Sequence, residues 1–319
     1  MKGVKKAAAI LGGTALLAGA GSAYGAYTLY KRVIPRQTEN RVDLNEMADM
    51  AQWEEYKKII HANKSWLKER VMESVSITSR DGLTLCGDYF PADTPSDKIV
   101  LCHHGYTSTG WDSCSSVAAF FLREGYDCLV VDNRAHGKSE GDYVGFGILD
   151  RFDCLSWINY TNDRFMGKKD IILYGVSMGA ATVVMASGFK KIPENVKAII
   201  SDCAFTSPYD VFSHILKRDY HLPEFPVMSI NDMLTKKTAG YGFRDYSTFD
   251  AVASTKIPIL FIHGEKDDFV PTEMSRKNFK ACKAPKELLI VENAGHAAAY
   301  YENVPLYEAT VKEFLKKYL

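Results

Sequence analysis

The chain has 319 residues, of which 46% are hydrophobic, 12% aromatic and 24% charged. This composition is typical of a folded globular protein, and the length allows one large domain with additional segments. Lys and Arg together number 39, as do Asp and Glu, so the formal charge is zero. Because nucleic-acid binding needs a basic surplus on at least one face, the charge balance argues against a nucleic-acid partner.

An apolar segment near the N-terminus predicts a membrane anchor or a signal segment within residues 1–37. Residues 7–30 carry no charge and are rich in Ala, Gly and Leu. At about 1.5 Å per residue, a helix of this length crosses the hydrocarbon core of a bilayer. Tyr24, Tyr27 and Tyr30 would then lie at the bilayer interface, where tyrosine is enriched. We therefore expect a single N-terminal helix to anchor the chain to a membrane.

A cleaved signal peptide is the alternative to an anchor, because small residues that suit cleavage occur at 18–20 and again at 21–23. The basic residues before and after the apolar run nearly balance, so the positive-inside rule assigns neither side of the membrane. Residues 38–70 follow as a polar stretch with helically spaced apolar residues. They predict a helical linker to the next domain.

Residues 71–319 predict one α/β domain. Asp81-Gly82 is a strong turn signal between two apolar stretches, so the domain opens with an antiparallel pair of strands. Six further apolar runs alternate with helical patterns, which indicates a mostly parallel eight-stranded sheet covered by helices. The predicted strands are residues 71–78, 83–90, 98–102, 126–131, 170–174, 196–201, 257–262 and 287–291.

One connection, at about residues 205–255, is roughly twice as long as the others, and we interpret it as a cap inserted over the edge of the sheet. Its aromatic residues and methionines can line an apolar acyl or aryl pocket, or they can pack the cap onto the core. They are Phe205, Tyr209, Phe212, Tyr220, Phe225, Met228, Met233, Tyr241, Phe243 and Phe249.

The seven cysteines are dispersed and include no Cys-x-x-Cys pair. This spacing supports neither a zinc site nor a redox motif, so no metal is predicted. Several of them lie in apolar runs, where a thiol packs as a small buried side chain. An odd number in such positions argues against a disulfide-stapled domain.

A tight turn follows the predicted strand at 170–174 and precedes a helical pattern. Its sequence, Gly175-Val176-Ser177-Met178-Gly179, is a G-x-S-x-G nucleophile elbow in the required strand–turn–helix context. The turn exposes Ser177 beside a helix N-terminus, and the two glycines let the strand and helix backbones approach closely. The N–H of Met178 can then stabilise an oxyanion.

A serine nucleophile on this type of sheet is followed along the chain by an acid and then by a histidine. Asp267 comes shortly after the strand at 257–262 and is our candidate acid, with Asp268 and Asp202 as alternatives. His296 lies in a loop after the last strand and is the only histidine beyond the acid, so it is the candidate base. 

The loop that follows the strand at 98–102 is the expected source of a second oxyanion donor. It reads His103-His104-Gly105-Tyr106-Thr107, and we expect the N–H of Tyr106 to be that donor. His104 is expected to support the loop rather than to transfer protons.

These motifs resemble the α/β-hydrolase superfamily over residues 70–319. The motifs that carry the resemblance are His104-Gly105-Tyr106, the loop Asp132–Ser139, Gly175–Gly179, His263–Pro271 and Gly295-His296. The loop Asp132–Ser139 departs from the family pattern D-x-R-G-H-G-x-S only in Ala135, where glycine is usual. The resemblance implies an α/β-hydrolase fold, a Ser177–Asp267–His296 triad, an oxyanion hole at Tyr106 and Met178, and no cofactor.

The N-terminal segment, the linker that contains Trp66-Leu67 and the opening hairpin more narrowly resemble membrane-anchored hydrolases of Gram-positive bacteria, described as serine aminopeptidase-like proteins or esterases. We accordingly predict a serine hydrolase that cleaves a small-molecule carboxylic ester through an acyl-enzyme. A peptidase or amidase and an acyltransferase are alternatives, since both use the same triad. A non-catalytic binding module is a further alternative on the same fold.

Overall fold

A single eight-stranded sheet runs through the centre of the computed structural model, which describes residues 24–37 and 50–319. The strands are β1 Glu73–Thr78, β2 Thr84–Phe90, β3 Lys98–His103, β4 Asp127–Val131, β5 Asp170–Val176, β6 Val196–Asp202, β7 Ile259–Gly264 and β8 Lys286–Val291. Their order across the sheet is β1-β2-β4-β3-β5-β6-β7-β8. Only β1–β2 and β2–β4 pair antiparallel, and β4, β3 and β5 to β8 run parallel. The predicted fold class, with its antiparallel opening pair, is confirmed.

Helices cover both faces of the sheet, which explains why the central strands are continuous apolar runs. The helices are α1 (residues 24–33), α2 Met50–Lys68, α3 Gly110–Arg123, α4 Asp150–Phe165, α5 Met178–Ala186, α6 Pro208–Tyr220, α7 Val227–Ala239, α8 Thr248–Val252, α9 Thr272–Ala281, α10 Ala299–Glu302 and α11 Val304–Tyr318. In β3, Val100 and Cys102 pack toward α2, α3, α10 and α11, while Ile99 and Leu101 pack toward α4, α5 and α8.

The cap is formed by α6 and α7, which lie between β6 and β7. They pack over the carboxyl end of the sheet in a third apolar cluster, to which Val211, Leu216 and Met228 contribute from the cap. α8 belongs instead to the sheet layer, since Ala251 and Val252 pack with α4 and α5. The inserted segment therefore leaves the sheet after β6, covers the carboxyl end of the sheet, and returns to the helical layer through α8 before β7.

The predicted apolar N-terminal segment falls mainly on residues 1–23, which lie outside the described residues. Within residues 24–37, α1 packs against the cap: Tyr30 is buried and its hydroxyl lies 2.6 Å from the Thr238 hydroxyl of α7. Of the three tyrosines predicted for a bilayer interface, Tyr24 and Tyr27 are exposed. Over residues 24–37 and 50–319, no helix combines the length and apolarity needed to cross a bilayer.

The predicted linker, residues 38–70, contains α2, which packs onto the α/β domain. Tyr56 and Leu67 are buried in the cluster that also contains α3 and α11. Asn63 accepts a 2.8 Å hydrogen bond from Arg123, and Lys64 pairs with Asp112 at 2.6 Å. Because α2 buries Tyr56 and Leu67 against the sheet layer, it adds to the core of the domain.

The C-terminal end of α4 generates a stability prediction. Met166 ends this helix in the left-handed conformation, with φ 54° and ψ 35°, and its side chain is exposed. The left-handed conformation costs a non-glycine residue about 1–2 kcal/mol. Glycine avoids this cost, but its greater conformational freedom in the unfolded chain offsets part of the gain in stability. We expect Met166→Gly to raise the free energy of unfolding by about 0.5–1 kcal/mol in urea denaturation.

Lys277→Gly is the matched control, since Lys277 is exposed in the middle of α9. It should lower the free energy of unfolding by about 1 kcal/mol. Equal destabilisation by the two substitutions would contradict the prediction.

Candidate active site

Ser177 lies in a strained turn between β5 and α5. Its backbone has φ 53° and ψ −115°, and its N–H donates a 2.8 Å hydrogen bond to the Asp202 carbonyl oxygen. A Cβ atom at Gly175 would lie 2.2 Å from the Gly179 carbonyl oxygen, and one at Gly179 would lie 2.1 Å from the His103 carbonyl oxygen. The two glycines are thus required by the close approach of three backbone segments, which leaves the serine projecting from the carboxyl end of the sheet.

Three loops bring a serine, a histidine and an aspartate into one hydrogen-bonded chain. His296 Nε2 lies 2.9 Å from Ser177 Oγ, and His296 Nδ1 lies 2.7 Å from Asp267 Oδ2. The serine follows β5, the aspartate follows β7 and the histidine follows β8. Of the alternative acids, Asp268 is 85% exposed and points toward Arg218. In chemical terms, the arrangement can deprotonate the serine hydroxyl and stabilise the resulting imidazolium.

The carboxylate of Asp267 is held as an anion by its hydrogen-bond partners. Oδ1 accepts bonds from the N–H groups of Phe269 (3.1 Å) and Val270 (2.8 Å). Oδ2 is also 3.0 Å from Nε2 of the buried His263. Burial alone would raise the pKa of Asp267, but the neighbouring His296 and His263 outweigh it and hold the pKa well below its usual range.

A second buried carboxylate, Asp202, lies at the end of β6. Its Oδ2 accepts a 3.0 Å hydrogen bond from the Tyr307 hydroxyl, and its Oδ1 has no partner among the described residues. Burial raises the pKa of Asp202 to about 6, although the Tyr307 hydrogen bond opposes the increase. Asp202 is therefore adjacent to the site through its backbone, but the structure does not join its carboxylate to His296 by a hydrogen bond.

Two backbone N–H groups are available near the serine for an oxyanion. Met178 is the first residue of α5, so its N–H is one of the donors that a helix leaves unpaired. In the described part of the chain, the Tyr106 N–H has no hydrogen-bond acceptor. A Cβ atom at the preceding Gly105 would lie 3.5 Å from Ser177 Cβ, which shows how closely this loop passes the serine.

Two neutral histidines, His104 in that loop and His136 in the motif Asp132–Ser139, join the loop to the motif. His104 donates from Nδ1 to the Gly105 carbonyl oxygen at 2.6 Å and accepts at Nε2 from the Asn133 N–H at 2.9 Å. His136 accepts at Nε2 from the Thr107 N–H at 3.2 Å. Burial lowers the pKa of both imidazoles, and a neutral imidazole offers the one donor and one acceptor that these positions need.

The alanine that departs from the family pattern does not prevent the tight turn. Ala135 adopts φ 60°, and its N–H donates to the Glu140 carbonyl oxygen at 2.9 Å. The turn therefore forms with a non-glycine residue in the left-handed region.

A cavity of about 430 Å³ opens beside Ser177, Met178 and Tyr106, and its other walls are mainly apolar. Five of the ten cap residues proposed for a pocket line it, namely Phe205, Phe212, Tyr220, Met228 and Phe243. The other five do not. Phe225 and Met233, for example, face solvent.

Four residues of the N-terminal segment also line the cavity, a role that was not predicted from the sequence. They are Leu29, Arg32, Val33 and Ile34. Leu29, Val33 and Ile34 are apolar, and apolar residues are expected both in a helix that covers a cavity and in one that enters a bilayer. The charges of Lys31 and Arg32, directly after the uncharged run at residues 7–30, were the available signal that the helix continues beyond the membrane-like run.

One group of potential metal ligands lies at the site: among the described residues, Cys203, Asp267 and His296 bring ligand atoms within 4.8 Å of one another. Burial raises the pKa of the Cys203 thiol well above its usual range, which disfavours the thiolate that a metal would need. Asp267 and His296 are already hydrogen-bonded to each other. We therefore assign no metal to this cluster.

Comparison with known proteins gives consistent matches. A family model described as alpha/beta hydrolase fold matches residues 98–228, and one described as serine hydrolase (FSH1) matches residues 170–298. The uncharacterized protein YqkD of Bacillus subtilis is 31% identical over 225 residues, which are 70% of this chain and 72% of YqkD. The uncharacterized protein YfhR of Escherichia coli K12 is 28% identical over 233 residues, 72% of this chain and 74% of YfhR.

Among solved structures, the esterase Pf2001 of Pyrococcus furiosus superposes with a TM-score of 0.66 at 25% identity. The match covers 90% of this chain and 97% of the esterase.

The raised pKa of Asp202 generates a pH prediction. A carboxyl with a folded pKa of about 6 and an ordinary value of 3.8 contributes stability below pH 3.8, which is lost as the pH rises through 6. Asp202→Asn removes this loss. The free energy of unfolding of Asp202→Asn, relative to that of the unsubstituted protein, should therefore increase by about 2 kcal/mol between pH 4.5 and pH 8, measured by urea denaturation. Parallel pH profiles for the two proteins would contradict the prediction.

Proposed function

Since the chain belongs to the α/β-hydrolase superfamily and is a serine hydrolase, we propose that it cleaves carboxylic esters through an acyl-enzyme formed on Ser177. The observation that carries this proposal is the hydrogen-bonded chain from Ser177 through His296 to Asp267, directly beside an apolar cavity. The likeness to the Pyrococcus furiosus esterase supports the same class of reaction.

The first half of the reaction forms the acyl-enzyme. His296 Nε2 takes the proton from Ser177 Oγ as the oxygen attacks the ester carbonyl carbon. The negative charge moves to the carbonyl oxygen, where the N–H groups of Tyr106 and Met178 stabilise it. The tetrahedral intermediate then collapses, and the imidazolium gives its proton to the departing alkoxide. The alcohol leaves, and the acyl group remains bonded to Ser177.

The second half releases the acid. His296 takes a proton from a water molecule, whose oxygen attacks the acyl carbonyl, and the collapse of the second intermediate returns the proton to Ser177 Oγ. Throughout, Asp267 holds Nδ1–H of the imidazole and stabilises its charged form. Because the Asp267 carboxylate is bound by two backbone N–H groups and by His263, it keeps its orientation during both proton transfers.

The cavity favours esters with an apolar acyl or aryl group. Its walls are mainly aromatic and aliphatic side chains, and its volume of about 430 Å³ lies within the range of small-molecule sites. Each methylene buried there contributes about 0.8 kcal/mol to binding. We propose, on these grounds, that the substrate is a small ester with an apolar chain. From the uncharged run at residues 7–30 we propose, separately, that the N-terminal segment attaches the enzyme to a membrane.

The nucleophile is tested with a fluorophosphonate probe and a series of p-nitrophenyl acyl esters on the full chain. We expect labelling and turnover in the unsubstituted protein and the loss of both in Ser177→Ala, because no other oxygen occupies the position of Ser177 Oγ beside His296. A folded chain that is neither labelled nor active would overturn the proposed hydrolysis and favour a binding role. Faster turnover of amides would favour a peptidase, and transfer to added alcohols would favour an acyltransferase.

The acid is tested by a matched pair of neighbouring substitutions. Asp267→Asn should lower kcat about 10⁴-fold, because an amide cannot stabilise the imidazolium or select its tautomer. Asp268→Asn should leave kcat unchanged, because the Asp268 side chain is exposed and pairs with Arg218 rather than with His296. Thermal unfolding of both variants controls for folding. Equal losses in the two variants, or a loss only in Asp268→Asn, would contradict the assignment.

A further inference from the structure

The N-terminal segment lies over the candidate active site rather than beside it. Leu29, Arg32, Val33 and Ile34 all line the same cavity as Ser177. Leu29 and Val33 are four residues apart on a helix, so their side chains share one face. Ala26 and Tyr30, which are buried, hold the helix against the cap. The cavity thus has a wall that comes from outside the sheet and outside the cap.

The segment is fastened to the catalytic domain at its other end by backbone hydrogen bonds. The Val144 N–H donates to the Ile34 carbonyl oxygen at 2.9 Å, and the Arg36 N–H donates to the Asp142 carbonyl oxygen at 2.7 Å. The Arg36 guanidinium also donates to carbonyl oxygens of the loop Asp132–Ser139, at 2.7 Å for Gly137. These hydrogen bonds fix the position of residues 34–36 on the catalytic domain, so the segment is an integral part of that domain.

The same segment is joined to the loop that faces the nucleophile. The Tyr106 hydroxyl donates to the Val33 carbonyl oxygen at 3.0 Å, and the ring of Tyr106 packs against Phe146 with centroids 5.1 Å apart. The backbone N–H of Tyr106 is the proposed oxyanion donor. Residues 24–37 therefore contact the site in two ways, through the cavity wall and through this hydrogen bond.

We propose that residues 24–37 are part of the substrate site, and that Leu29 and Val33 limit the length of the acyl chain that the enzyme accepts. This inference rests on the proposed ester hydrolysis. An acyl chain that extends from Ser177 between the cap and α1 contacts these two side chains, since they line the cavity that opens at the serine. The burial of each methylene is worth about 0.8 kcal/mol, which corresponds to about a fourfold change in kcat/KM.

The test compares three substitutions on α1 in the full chain. Leu29→Trp fills the cavity, and Leu29→Ala enlarges it. Thr28→Trp adds the same bulk at the neighbouring position, where the side chain is exposed and, among the described residues, hydrogen-bonds to the carbonyl oxygens of Tyr24 and Gly25 in its own helix. kcat/KM is measured on p-nitrophenyl esters from acetyl to dodecanoyl, and thermal unfolding controls for folding.

We expect Leu29→Trp to lower the ratio of dodecanoyl to acetyl kcat/KM at least about tenfold, the equivalent of two lost methylene contacts. Leu29→Ala should move the optimum toward longer chains, and Thr28→Trp should leave the profile unchanged. If Leu29→Trp does not fold, the opposite shift in Leu29→Ala still decides the question. Identical profiles for the Leu29 and Thr28 variants would overturn the inference while leaving ester hydrolysis intact.

A binding measurement separates this inference from the proposed reaction. A fluorescent dodecanoic acid is titrated into Ser177→Ala, alone and combined with Leu29→Trp or Thr28→Trp. The Kd should increase about tenfold with Leu29→Trp and stay constant with Thr28→Trp. If the unsubstituted protein hydrolyses no ester, the proposed function fails. Equal Kd values for the two tryptophan variants would, separately, overturn the inference that residues 24–37 are part of the substrate site.

Discussion

The first turn of α5 approaches the ends of β3 and β5 so closely that no side chain fits at Gly175 or Gly179. This contact forces Ser177 into its strained conformation and sends the chain directly into a helix, so the Met178 N–H lies unpaired next to the serine. It also determines where the loop after β3 must pass, because Gly105 lies against Ser177. The geometry of nucleophile and oxyanion donors thus follows from one backbone packing constraint at the centre of the sheet.

Two buried carboxylates near the imidazole show how environment alone separates their chemistry. Asp267 is surrounded by backbone N–H donors and two imidazoles, which lower its pKa, whereas Asp202 has one hydroxyl partner and a raised pKa. The charge of Asp267 adds to the raised pKa of Asp202, and the nearby imidazoles oppose that increase. Asp267, the carboxylate that is hydrogen-bonded to His296, therefore keeps its negative charge over a wider pH range than Asp202.

Much of this architecture was accessible from the sequence because the parallel strands are buried on both faces and so appear as apolar runs. The strand ends then located the loops that contain Ser177, Asp267 and His296. The choice between Asp267 and Asp268 was less accessible, since it depends on which carboxylate the N–H groups of Phe269 and Val270 can reach. The wall at residues 24–37 was the least accessible part, because apolar periodicity indicates that a face is covered and not what covers it.

The position of that wall has a consequence for the maturation of the protein. Both stretches of small residues that suit signal cleavage, 18–20 and 21–23, end before α1 begins in the described structure. A protease acting at either place would release the apolar leader and leave Leu29, Val33 and Arg36 attached to the domain. Cleavage at either place would therefore leave the cavity wall in position, whereas a chain shortened to residue 38 would lack Leu29 and Val33 and would have a cavity that is open on that side.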